Sequence, residues 1–285
     1  MSTVELSAPP RLGPMYRSAM LSSVRGRPTG DTLPDVELVL PEVTVDRRHL
    51  AAYDRACGFR LTDELPGTYP HVLAFPLAMA LMTRPDFPLP LIGMVHVANS
   101  VSLARPIRAD ETLELRVRVE GLRPHDRGSQ VDVVARGLVG AELVWSSRST
   151  YLHRQRATRP DPRPAPERAA PPDPTAVWRL DRRVGERYAA ASGDLNPIHT
   201  SRLGARLFGF PRPIAHGMWS KARCLATMEG RLPTAYTVDV YFKLPILLPS
   251  TVAFSAQPDA PGSWRLALND TRSGRPHLTG VVAPV

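Results

Sequence analysis

Asp194, Asn196 and His199 stand close together in the string YAAASGDLNPIHTSRLGA, which runs from Tyr188 to Ala205. A carboxylate and an imidazole that converge on one water are what reversible hydration of an activated double bond requires, since one takes a proton while the other gives one. Convergence needs a bent backbone. Gly193 ends the preceding helix, and Pro197 fixes its own backbone while pushing Asn196 out of the helical region. Residues 194–199 are therefore expected to form a turn, with Asn196 bracing it by hydrogen bonds. Taken singly, an Asp in a Gly-Asp-x-Asn-Pro string is a turn former or helix cap, and a lone His is structural. The chemistry rests on the combination.

Elements that could position this string come in two sets. Between Gln155 and Thr175 the sequence QRATRPDPRPAPERAAPPDPT precludes a packed core or a regular helix, so residues 155–175 are read as an extended linker. The flanks, 1–154 and 176–285, show the same order of signals. Tyr53–Gly58 (YDRACG) matches Tyr188–Gly193 (YAAASG), each closing a short helix with glycine. Pro106–Thr112 (PIRADET) matches Pro245–Thr251 (PILLPST), each leading into a strand. Duplication is the expectation.

Each half then carries one helix followed by strands. Val72–Met82 is apolar on every side, which in so short a stretch means a helix enclosed by other elements. In the second half Ile214, Met218, Leu225 and Met228 mark the apolar side of a helix that places Lys221 and Arg223 on another. Leu113, Leu115, Val117 and Val119 alternate with charged residues, and Tyr236, Val238, Val240, Phe242 and Leu244 repeat the pattern. Strands are expected at about 93–104, 111–121, 129–139 and 142–153, then 235–244, 250–257, 263–270 and 277–283. A buried helix wrapped by a curved one-sided antiparallel sheet satisfies both halves, which makes the fold class α+β and the arrangement a double hotdog.

Bulk properties bound the rest. The chain has 285 residues, 43% hydrophobic and 22% charged, enough for two cores. The N-terminal stretch lacks an apolar run, and nothing approaches the roughly 18 to 20 apolar residues of a membrane span, so a cytoplasmic protein is expected. Cys57 and Cys224 read as buried small hydrophobes in a reducing compartment. The formal charge of +9 is almost all arginine, with Lys221 and Lys243 the only lysines. These arginines form no block and no interleaved aromatic series, which argues against nucleic acid as a partner. His71, His96, His125, His153 and His277 show no metal-ligand spacing, so no metal is expected. The absence of a glycine-rich phosphate loop and of a Gly-x-Ser-x-Gly elbow weighs against nucleotide hydrolysis and serine-hydrolase chemistry.

The string Gly-Asp-x-Asn-Pro-x-His, followed after five residues by Ala205, resembles the hydratase 2 motif of the MaoC-like (R)-specific enoyl-CoA hydratases; Ala191 departs mildly from the usual pattern. Phe210–Trp219 (FPRPIAHGMW) looks like the lead-in to that family's central helix, and the two halves resemble its double-hotdog members, actinobacterial ones in particular. The first half has YDRACGFRLTDELP in place of the motif. The resemblance thus implies one active site per chain, with a groove for the acyl tail in the first half.

It also implies (R)-specific hydration of trans-2-enoyl thioesters, or dehydration of (R)-3-hydroxyacyl thioesters, with Asp194 and His199 as the catalytic pair. No cofactor is implied beyond the coenzyme A or acyl carrier protein that carries the acyl group. The amide of Gly217, unpaired at the first turn of a helix and unobstructed by a side chain, suits the enolate-like thioester oxygen. Such a donor contributes about 3 kcal/mol. Gly217 could instead serve close packing, and His216 could touch substrate. Arg212 and Lys221 are the expected contacts for carrier phosphates. Competing readings are a hotdog acyl-thioesterase and a non-catalytic acyl-thioester-binding partner, and the chain is expected as a monomeric double hotdog or a homodimer.

Overall fold

The computed structural model describes residues 1–16, 31–91, 93–154 and 171–285. Most of the expected linker, 155–170, lies outside the described residues. The first half comprises β1 (Ser2–Glu5), β2 (Val36–Val43), α1 (Arg47–Cys57), α2 (Tyr69–Met82), β3 (Met94–Leu103), β4 (Leu113–His125), β5 (Gly128–Val139) and β6 (Glu142–Arg154). The second comprises β7 (Ala176–Leu180), α3 (Val184–Ser192), α4 (Pro197–Thr200), α5 (Arg202–Leu207), α6 (Gly217–Thr227), β8 (Tyr236–Phe242), β9 (Ser250–Pro258), β10 (Trp264–Asp270) and β11 (Pro276–Pro284). Residues 12–16 are also helical.

Local sequence accounts for these elements. Asp46 caps α1 by accepting from the Arg48 amide, and Gly58 ends it at φ 84°, a left-handed conformation that favours glycine. Helix α2 buries side chains all round, from Tyr69 and Val72 to Leu81 and Met82, because sheet and helices enclose it. In β4, Leu113, Leu115, Val117 and Val119 are buried while the residues between them are half-buried. The eight strands expected from alternation all form, within a few residues of their expected bounds. Strands β1, β2 and β7 were not anticipated.

All eleven strands belong to one sheet in the order β1-β2-β4-β5-β6-β3-β8-β11-β10-β9-β7, antiparallel except where β1 runs parallel to β2. The halves meet at β3 and β8, from Ala98 opposite Tyr241 to Leu103 opposite Tyr236. They join edge to edge through backbone hydrogen bonds, while α1 packs on α3 and α6.

The duplication is visible in the loops before the central helices. Leu65 N donates to Ile107 O and Ala109 N to Asp63 O (2.8 and 2.7 Å); in the second half Ala215 N donates to Ile246 O and Leu248 N to Pro213 O (2.9 and 2.8 Å). This correspondence places Pro66-Gly67 where the second half has His216-Gly217. Beside Gly67 lie the Tyr236 hydroxyl and Leu103, and beside Gly217 lies the Phe242 ring.

Candidate active site

The motif is a string of caps. Gly193 ends α3 at φ 73°, and Leu12 occupies the space that a side chain there would need. Asn196 is the N-cap of α4: its Oδ1 accepts from the Ile198 amide, and its backbone is extended at φ −54°, ψ 122°. The expected turn is thus corrected, for only 194–196 are irregular and 197–200 form one helical turn. Proline restricts the residue before it, yet at the first position of a helix its missing N–H is no loss. Ser201 then caps α5 through the Gly204 amide, and Gly204 packs on Pro197.

These caps place His199 so that its Nδ1 donates to Ile214 O at 2.8 Å. A carbonyl only accepts, so the neutral ring keeps its lone pair on Nε2. His216, the N-cap residue of α6, donates from Nε2 to the backbone oxygen of Asp194 at 3.0 Å. Its ring stacks on His199 with centroids 3.6 Å apart and planes 24° apart, and on Tyr188 at 4.9 Å. Asp194 Oδ1 accepts from the Tyr16 hydroxyl at 2.8 Å and from the Asn196 amide at 3.3 Å, while Oδ2 lies 3.9 Å from His216 Nε2. The Asp194 side chain keeps 28% of its surface, whereas that of His216 keeps 3%.

The electrostatics divide the three groups. Burial raises the Asp194 pKa, but His216, His199 and the hydrogen bonds from Tyr16 and Asn196 outweigh it, so its carboxyl lies below the usual carboxylate range. Burial pushes His199 below the ordinary imidazole value against the pull of Asp194 and the Ile214 carbonyl. His216 falls to about 3, through burial first and His199 second. The site at neutral pH is one carboxylate and two neutral imidazoles.

Ligand-type atoms of Asp194, His199 and His216 lie within 4.8 Å of one another. Spacing along the sequence gave no sign of this cluster. One nitrogen of each ring already donates to a carbonyl, leaving His199 Nε2 and the buried, unpartnered His216 Nδ1. Both rings line the same cavity, with His216 Nδ1 buried and His199 Nε2 not engaged by the Ile214 carbonyl.

Asp194, Asn196, His199, His216 and Gly217 line one cavity of about 1320 Å³. The first half supplies much of its wall, including His71, Val72, Phe75, Met94, His96 and Tyr151. Gly217 is the first residue of α6, where its amide lacks an intrahelical partner. A Cβ there would stand 3.1 Å from the Phe242 ring, so the glycine also serves close packing.

Two expected contacts lie elsewhere. Lys221 is fully buried, its Nζ donating to Asn99 Oδ1, Asn99 O and Val238 O in the seam between β3 and β8. The side of α6 that carries Lys221 faces the seam between the halves, where Asn99 comes from the first half and Val238 from the second. Arg212 donates to Pro249 O and lines a separate depression with Arg179 and Arg272. Tyr16 was missed because 178 positions separate it from Asp194. No local signal could have paired them.

A duplicated sheet-wrapped helix with a carboxylate and imidazoles at the mouth of the second helix defines a double hotdog of the hydro-lyase type. The comparisons agree. Residues 166–272 match the MaoC like domain. Over 258 residues the chain is 41% identical to 3-hydroxyacyl-thioester dehydratase X of Mycobacterium tuberculosis, covering 90% of this chain and 91% of that one. The crystal structure of that organism's HtdX superposes with a TM-score of 0.78 at 38% identity, covering 87% of this chain and all of the other. A further M. tuberculosis protein with a double hotdog fold, 15% identical, covers 85% of this chain and 92% of its own at a TM-score of 0.53 and shares the fold alone. The chain belongs to the MaoC-like dehydratase family.

Proposed function

We propose that this protein dehydrates (R)-3-hydroxyacyl thioesters to trans-2-enoyl thioesters and catalyses the reverse hydration, with coenzyme A or an acyl carrier protein as the carrier. The observation that carries the reading is the pairing of an ionised Asp194 with a His199 whose Nδ1 is held by the Ile214 carbonyl. Both present acceptors, so one water can donate a proton to each while its oxygen faces carbon 3. In hydration that oxygen bonds to carbon 3, one water proton passes to the pair, and the pair returns a proton to carbon 2 on the same face. Dehydration reverses each step. The Gly217 amide stabilises negative charge on the thioester oxygen as carbon 2 loses or gains its proton.

The relative's name, a 3-hydroxyacyl-thioester dehydratase, supports the substrate class. Val72, Phe75 and Met94 give the cavity an apolar wall from the first half, suited to an acyl tail. The test is a spectrophotometric assay at the enoyl-thioester absorbance with acyl chains of several lengths on both carriers. Loss of that absorbance on adding enzyme, with the (R)-alcohol as product, is expected; release of free thiol without hydration would replace this reading with thioester hydrolysis.

A further inference from the structure

The N-terminal segment belongs to the site. Ser2–Glu5 pairs in parallel with Val36–Val39, and the Leu6 amide donates to Val39 O, which anchors the chain on the first half. Ten residues later it has crossed to the second half. Leu6, Leu12, Met15 and Tyr16 pack against the core, with Leu12 against Gly193. Tyr16 then places its hydroxyl 2.8 Å from Asp194 Oδ1. Tyr16 is not among the residues that line the cavity.

A carboxylate has two equivalent oxygens, and the chemistry proposed above needs one of them aimed at the water. With the Asn196 amide and the Tyr16 hydroxyl both donating to Oδ1, rotation about the side chain would forfeit both bonds, so Oδ2 is left for the cavity. We infer that Tyr16 is a positioning residue for the reaction, reaching from the N-terminal segment to fix the orientation and the charged state of Asp194. This rests on the catalytic reading of Asp194. A hydrogen bond to an ionised group is stronger than one to a neutral group, so the Tyr16 hydroxyl favours the carboxylate over the acid. The phenol is itself held protonated by burial and by the neighbouring Asp194 charge, so it acts only as a donor.

The full chain with Tyr16→Phe tests this, because the ring stays and only the hydroxyl goes. We expect kcat to fall about tenfold with KM within about twofold, the size of effect one charge-assisted hydrogen bond gives. The acidic limb of the pH profile should move to higher pH, since the carboxylate has lost a donor; loss of packing alone would leave that limb in place. In an Asp194→Asn background the residual activity should show no further fall from Tyr16→Phe. An unchanged kcat and pH profile for Tyr16→Phe beside an inactive Asp194→Asn overturns this inference alone. Full activity in Asp194→Asn removes the catalytic reading and this inference with it.

Discussion

His216 lies flat on His199 and at the same time holds the backbone oxygen of Asp194, so one buried ring sets the spacing of the other two groups. Its remaining nitrogen is buried and without a hydrogen-bond partner among the described residues. His216→Phe keeps the stack and loses the bond to Asp194, and its kcat should drop about tenfold. His216→Ala loses both, with a further fall and a loss of stability of about 1–3 kcal/mol from the cavity it leaves. Steady-state kinetics beside urea denaturation separate the two effects.

Asp194→Asn removes the carboxylate base while keeping the shape, and His199→Ala removes its partner. Each should lower the hydration rate by a hundredfold or more with the fold intact, as circular dichroism would report. Near-normal turnover in either would overturn the assignment.

Buried imidazoles make stability depend on pH in a defined direction. Burial depresses His71 to about 4, and His96 and His216 to about 3, from 6.5. The unfolded chain therefore binds these protons more readily than the native one, and stability is fully present above about pH 6.5. It is lost progressively as pH falls toward 3 to 4, at up to about 1.4 kcal/mol per pH unit for each proton taken up. His96→Phe should flatten that slope while retaining the packing against Tyr151, whose ring lies 4.6 Å away. Unfolding free energies measured from pH 8 to pH 4 give the answer.

The parts of this architecture legible in the sequence are those encoded locally. Alternation in Leu113–Val119 reports a half-buried strand whatever it pairs with, and Gly193 and Pro197 constrain their own backbone. The site string was legible for the same reason. What depends on a distant surface was not. Lys221 reads as an exposed helix cation until β3 and β8 close over it, and Tyr16 has no meaning beside Asp194 until the N-terminal segment crosses the molecule. Strand β7, AVWRL, is too short to show a period, and its place at the sheet edge comes from pairing with β9.

Lys221 should matter for stability and not for carrier binding. Burial drives its pKa well down, and its Nζ meets three acceptors spanning the seam. Lys221→Met leaves those acceptors enclosed, at a cost of about 1–3 kcal/mol for each one left unsatisfied. Urea denaturation should show the loss, and Asn99→Leu added to Lys221→Met should recover part of it by removing the orphaned amide. The salt dependence of KM should be unchanged in both.

Under the proposed function, the exposed cations lining the cavity are the expected contacts for the carrier. Arg127, Arg154, Lys243 and Arg275 line the cavity, are exposed, and form no ion pair among the described residues. Arg123 and Arg148, which also line it, are already held by Asp132. Asp126 and Asp239 stand among these cations but leave positive charge in excess. Coenzyme A carries phosphates and acyl carrier proteins are acidic, so a carrier of either kind is expected to be attracted to these cations by long-range electrostatics. Raising salt from about 50 to 200 mM shortens the Debye length to below about 10 Å and should raise KM with little change in kcat. Arg127→Gln with Arg154→Gln should raise KM at low salt and reduce its sensitivity to added salt, while Arg212→Gln, in its separate depression, should leave both unchanged. A KM indifferent to salt and to the paired arginine substitutions would remove these cations from carrier recognition and leave the +9 charge without a role in binding.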